Sequence, residues 1–297
     1  MTDQPDTAGA APTPRDLPFR IDIKRVHLAV GWVAFGLPLS LLALGLTLPT
    51  VCFYASISHF YFSPIGGDLF VGTLSFIGLL LLCLYSFDMT GRDGTLNWHW
   101  YDVALIRIAG IAALVVAFVP TGGSGCAFGA GAVPRAFIPN ASGTEDFPFP
   151  ARSPETLDTV TGTPTFDFWG VLLGLERPRD SLFDTIHSLA AGAMFLILAY
   201  VVLRVFTRVN SGTEKGSRKD LRNGCYRVLG VTILGAVAVL GVKTALFSGS
   251  EAFLTVWNKL HLTFVFEALA LVAFGLAWMI KGRFLPYFED RFHARDA

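Results

Sequence analysis

Six runs of eighteen or more mostly apolar residues dominate this chain: about 28–50, 66–87, 103–121, 183–206, 226–247 and 260–281. A helix rises 1.5 Å per residue, so about 20 residues cross a hydrocarbon core ~30 Å thick. Each run is long enough to do that. The chain therefore reads as all-α, a polytopic transmembrane helix bundle of about six spans. The membrane domain runs over 28–281, between a flexible N-terminal segment, 1–27, and a short tail, 282–297.

Composition agrees. The chain is 53% hydrophobic and 15% charged, with a mean hydropathy of +0.54, against about 25% charged in an average soluble domain. Its 23 basic and 23 acidic residues balance, which argues against a nucleic-acid partner and for a lipid bilayer as the surroundings. The first 19 residues are rich in Pro, Ala, Thr and Asp and lack an apolar core. No cleavable signal peptide is expected there, and the first span is expected to serve as the insertion signal.

Basic residues set the threading, because Lys and Arg are enriched in cytoplasmic connections. Arg15, Arg20, Lys24 and Arg25 precede span 1, whereas 51–65 has no basic residue. Arg92 follows span 2, and Arg107 lies one turn into span 3. Arg208, Lys215, Arg218, Lys219, Arg222 and Arg227 lie between spans 4 and 5. Only Lys259 stands in 248–259, and Lys281, Arg283, Arg291 and Arg295 mark the tail. The alternation predicts both termini in the cytoplasm.

Residues 122–182 break the short-loop pattern as a long extracytoplasmic connection, glycine-rich and then rich in Pro, Ser and Thr. Connections this long are either functional or disordered. Within it, Phe166, Phe168, Trp169, Leu172, Leu173 and Leu175 are too few to span, and 166–176 reads as an interfacial or re-entrant segment. A surface-lying segment without a gating role fits equally well. Cys52 and Cys126 fall on the oxidising side, paired or as two free thiols, and Cys83 and Cys225 on the reducing side. Small residues inside spans, Gly72, Ser75, Gly78, Gly230 and Gly235, read as close-packing positions.

Ionisable residues gather at the outer ends of the spans. His59 precedes span 2 and Asp68 sits at its start. Span 4 opens "SLFDTIHS", with Asp184, His187 and Ser188 on one helical face. Lys243 lies near the outer end of span 5, His261 opens span 6, and Glu267 is closer to mid-membrane. A charge at mid-membrane costs at least about 2.5–3.5 kcal/mol and normally faces the bundle interior with a partner. Each residue also has a plainer reading. His59 and His261 could be interfacial anchors, Asp68 the N-cap of span 2, Asp184 with His187 a structural pair, and Glu267 with Lys243 an ion pair. His27, His99 and His293 read as solvated or headgroup-facing residues of the inner side.

Three functions fit this cluster. In a membrane metalloenzyme, His59, His187 and His261 would hold a metal, zinc above all, because imidazoles with a carboxylate suit Zn²⁺. Asp68, Asp184 and Glu267 would then supply the catalytic carboxylates, and a lipid or other amphiphile the substrate. In a transporter or receptor, Asp68, Glu267 and Lys243 would bind a proton, cation or small solute. In a haem-bearing electron carrier, His187 and His261 would be the axial ligands.

Two resemblances add to this reading. The order serine, histidine, aspartate around span 2 resembles the alkaline-ceramidase and adiponectin-receptor family of intramembrane hydrolases, which implies metal-dependent hydrolysis. That family carries a serine four residues before its first histidine and a histidine four residues after its last-span histidine. This chain has Ala55 and Val265 there, and six spans where the family has seven. The strings "SISHFYFSPIGGDLFVG", "IHSLAAG" and "FEALALVAFGLAWMIKG" resemble a group of uncharacterised bacterial polytopic membrane proteins, which implies a bacterial cytoplasmic membrane and no particular chemistry.

Overall fold

The computed structural model describes residues 22–48, 53, 55–83, 98–119, 121, 180–208 and 218–285. Cys52, Cys126, His293 and the segment 166–176 lie outside the described residues. Among those described, helix is the only regular structure. The elements are α1 (Ile23–Thr47), a 3-10 turn (Ser58–Phe62), α2 (Pro64–Cys83), α3 (Trp100–Phe118) and α4 (Asp180–Tyr200), which runs on into a π-helical turn (Val201–Val205). They continue with α5 (Arg218–Phe247), the short α6 (Glu251–Lys259) and α7 (Leu262–Lys281).

Six of these helices are long and apolar enough to cross a membrane: α1 to α5 and α7. The protein is an all-α multi-pass bundle. Each span packs on the next along the chain, and α7, wedged against α5, closes the ring on α1. The ring has two ends. One, the terminal end, carries Asp22 and the exit of α7, where Gly282 abuts Lys24 and Leu28. The other, the loop end, carries the 3-10 turn, the exit of α3 and the α5–α6–α7 corner.

Periodicity builds the interior. Val30, Ala34, Leu37 and Leu41 on α1 and Phe70, Leu74, Ile77 and Leu81 on α2 are buried at alternating four- and three-residue steps, one stripe of each helix. Trp32, Leu46, Leu79 and Val231 lie on other faces and are exposed, as side chains meeting acyl chains would be. Hydrophobicity cannot drive helices together in lipid, so close van der Waals contact must. Gly31 and Gly275 supply it between α1 and α7: a Cβ on Gly275 would stand 2.7 Å from the Gly31 carbonyl oxygen. Gly78 and Gly110 do the same between α2 and α3, at 2.9 Å and 2.8 Å from each other's carbonyl. Gly230 meets Leu203, whereas Gly72 and Gly235 face open space.

Helix ends follow polar residues more than apolar runs. Asp22 caps α1, accepting the Lys24 amide at 3.0 Å, six residues before the apolar run begins. Ser63 caps α2: its hydroxyl accepts the Gly66 amide at 3.3 Å and its carbonyl the Gly67 amide at 2.7 Å. The cap of span 2 is therefore Ser63 and not Asp68, which lies exposed more than one turn into the helix. At 30 residues α5 is about 45 Å long, so its polar start, Arg218 to Arg227, projects beyond a ~30 Å core.

Candidate functional site

At the loop end, side chains that the sequence scatters over four segments form one hydrogen-bonded lattice. Its centre is the turn between α1 and α2. Ser56, almost fully buried, caps the 3-10 turn by accepting the His59 amide at 3.2 Å, and its hydroxyl also meets the His59 Nδ1. Glu267, from α7, accepts the Ile57 amide at 2.6 Å and also takes the Ser58 amide. A carboxylate on the first amides of a helical turn satisfies donors that have no partner inside it and meets the positive end of its dipole. Phe264 adds a backbone bond to Ala55 at 3.0 Å, so α7 holds this turn at two points.

His187 ties the same turn to the far side of the ring. Its Nδ1 donates to the Val119 carbonyl at 2.6 Å, and its Nε2 pairs with the Ser58 hydroxyl at 2.9 Å. In a neutral ring that donates from Nδ1, Nε2 is the acceptor, and Ser58 is then the donor. One turn earlier Asp184 accepts the Thr121 hydroxyl at 3.0 Å. Asp184 and His187 thus share a face, as their spacing predicts, and fasten α4 to the exit of α3. Ser188 is exposed.

His261 stands outside this lattice, and Asp68 is exposed. His261 heads α7 in a left-handed conformation, φ 49°, a region where histidine is more at home than most residues. Its ring meets Phe53 edge-on at 4.7 Å. Among the described residues no three His, Cys, Asp or Glu side chains converge as ligands for a metal ion. Both nitrogens of His187 are engaged by protein atoms, so His59, His187 and His261 do not form a zinc-binding set. A neutral imidazole accepting a serine hydroxyl is also the arrangement of a general base and its nucleophile. Here Ser58 and His187 are both buried, and the neighbouring amides that would stabilise an oxyanion already carry Glu267. The lattice holds the fold.

Beside it lies a cavity of about 240 Å³ between α5 and α6. Val239, Val242, Phe247, Phe253 and Trp257 line it, and Lys243 is its one charged wall. Phe247, Phe253 and Trp257 stack in sequence, with centroids 4.4 Å and 5.4 Å apart, and the Trp257 indole N–H is fixed on the Thr263 hydroxyl at 2.8 Å. Lys243 is half-buried and feels the charge of Glu267, but no described carboxylate lies within ion-pairing distance of it. Glu267 has taken the 3-10 turn instead. The ion pair expected between them is thus not formed.

No protein-family model, curated protein or solved structure matches this chain. The site must speak for itself.

The terminal end holds a second polar centre that sequence reasoning missed. Asp102, in the first turn of α3, is wholly buried. Arg208 grips both its oxygens, with Nη2 on Oδ1 at 3.1 Å and Nη1 on Oδ2. Tyr200 donates to Oδ1 at 2.9 Å and the His99 amide to Oδ2 at 2.8 Å. The carboxylate, hydrogen-bonded to the Arg208 guanidinium, pushes the latter's pKa still higher. Tyr200 ends α4 and Arg208 follows the π turn, and both reach one carboxylate. An aspartate alone in an apolar helix was the available signal. His27 is also buried here, edge-on to Phe206 at 6.2 Å, and not solvated; His99 is exposed, its backbone and side chain joining Asp102 in a capping box.

Proposed function

We propose that the protein binds an anionic amphiphile, as a receptor or carrier, in the cavity between α5 and α6. The observation that carries this reading is Lys243: a cation inside a span, walled by aromatic and aliphatic side chains, with no carboxylate among the described residues within ion-pairing distance. Lysine buried in lipid costs at least about 2.5–3.5 kcal/mol unless it finds an anion or water. An acyl or ring body would occupy the apolar wall, and a carboxylate or phosphate head would sit on the ammonium. Ligand pockets combine an apolar lining with a few polar groups that fix orientation in this way. The lattice of Ser56, Ser58, His59, His187 and Glu267 keeps the adjoining corner rigid.

Removing the charge while keeping the length separates this from a lysine that only reaches toward the surface. Lys243→Met should weaken binding of a long-chain fatty acid about tenfold or more, a loss of about 1.4 kcal/mol or more, and leave binding of the matching alcohol unchanged. Equal affinities of parent and variant for the acid, measured by fluorescence titration in one detergent, would refute the reading.

The proposal includes the threading. Both termini are cytoplasmic, the loop end faces outward, and the membrane is the cytoplasmic membrane of a bacterium. Alternating basic connections support this orientation. Reporters fused after Asp88 and Asn210 should read cytoplasmic, and one at Ser142 external. A cytoplasmic signal from Ser142 would reverse it.

A further inference from the structure

Four cations from two helices meet at the terminal end. Lys219 and Arg222 belong to the first turns of α5, Lys281 ends α7, and Arg283 follows its cap. Lys219, Arg222 and Arg283 all act electrostatically on Lys281, and Arg222 and Arg283 both act on the buried Tyr226. Arg222 is itself buried, and the Lys281 ammonium lies 4.9 Å above the Phe206 ring. Like charges brought together repel, the more so away from water. Among the described residues, the acidic side chains of α5 and α7 are Asp220, exposed, and Glu267, at the loop end, while Asp22 at the start of α1 takes the Lys24 amide and Arg25.

The backbone holds this arrangement under strain. Arg283 donates its amide to the Ile280 carbonyl at 3.0 Å and Phe284 donates to Met279 at 3.1 Å, the two bonds of a Schellman cap. The left-handed position of that cap, φ 57°, is Arg283. Glycine usually takes it. Here the glycine comes one residue early, because a Cβ at Gly282 would meet the Leu28 side chain at 2.7 Å and the Lys24 carbonyl at 2.9 Å. An arginine in this conformation persists only because its surroundings require it, and such positions cluster at functional sites.

We propose that Lys219, Arg222, Lys281 and Arg283 bind a phosphate group between the start of α5 and the end of α7. The phosphate is either the headgroup of an acidic phospholipid or a free ion. Guanidinium forks and lysine ammoniums are the natural donors to its oxygens, and basic clusters at a membrane surface attract acidic headgroups. This site lies at the opposite end of the bundle from the Lys243 cavity and does not depend on it.

Arg283→Gly makes a discriminating test, since it deletes the charge and relieves the left-handed strain together. The variant should melt no lower than the parent. Full-length parent should retain phosphatidylglycerol over phosphatidylcholine in native mass spectra. Arg283→Gly and Lys219→Gln should each bind it about fivefold more weakly, the equivalent of ~1 kcal/mol per cation. Stabilisation of the parent by inorganic phosphate, with no preference between the lipids, would assign the free ion to the same cluster. A parent that neither prefers the acidic lipid nor responds to phosphate overturns the proposal, as do unchanged affinities in both variants.

Discussion

Arg208→Ala should lower the stability of the bundle by about 3–5 kcal/mol, because removing one partner of a buried pair leaves the other charge uncompensated. Asp102 has no exposed surface, and without Arg208 it keeps only the Tyr200 hydroxyl and the His99 amide. Arg208→Lys should recover part of the loss, since an ammonium supplies charge without the two-pronged grip. The double change Asp102→Leu with Arg208→Leu should be milder than Arg208→Ala, because no unpaired charge remains. Thermal unfolding of the four proteins in one detergent checks the order. If Arg208→Ala melts with the parent, Asp102 is not the enclosed carboxylate described here.

Gly275→Ala should be destabilising by about 1–3 kcal/mol, the usual cost of overpacking a close contact. Its Cβ would face the Gly31 carbonyl oxygen at 2.7 Å and the Phe35 amide at 2.7 Å. Backbone cannot step aside as a side chain can, so α1 and α7 must separate. Gly235→Ala is the matched control: it meets nothing within 4 Å, and the better helix former should stabilise by up to ~1 kcal/mol. Opposite signs for one substitution at two helical glycines would locate the contact. Equal gains would mean that α1 and α7 do not close the ring at this crossing.

The spans were legible because lipid imposes a length on every crossing helix, and all six apolar runs became helices. Their ends were not, because hydropathy ignores caps. Asp22 and Ser63 start α1 and α2 before their apolar runs do, and the polar start of α5 lengthens it by two turns. Gly78 was recognised as a packing residue, but its partner Gly110 and the pair Gly31 with Gly275 were not. A lone glycine in one helix does not say which helix it will meet.

The site was legible as a neighbourhood more than as a mechanism. Depth alone put His59, Asp184, His187 and Glu267 at one end, where the last three bind elements together and His59 belongs to the turn they hold. Depth could not reveal that Glu267 faces backbone amides, since the sequence offers Lys243 as the obvious partner and does not display amides. Ser58 and Thr121 became working members of the lattice because each stands beside a histidine or aspartate from another segment, and Ser56 because it caps its own turn beside His59. The same blindness hid Asp102 with Arg208, 106 residues apart and joined only once α3 and α4 pack.

A photoreactive long-chain fatty acid, crosslinked to the purified full-length protein and mapped by peptide mass spectrometry, tests the amphiphile reading most directly. Label should concentrate on Val239, Val242 and Phe253, and an excess of unlabelled acid should displace it, whereas the corresponding alcohol should not. Label spread evenly over the exposed faces of all six spans, or displaced equally by the alcohol, would contradict a site built around Lys243.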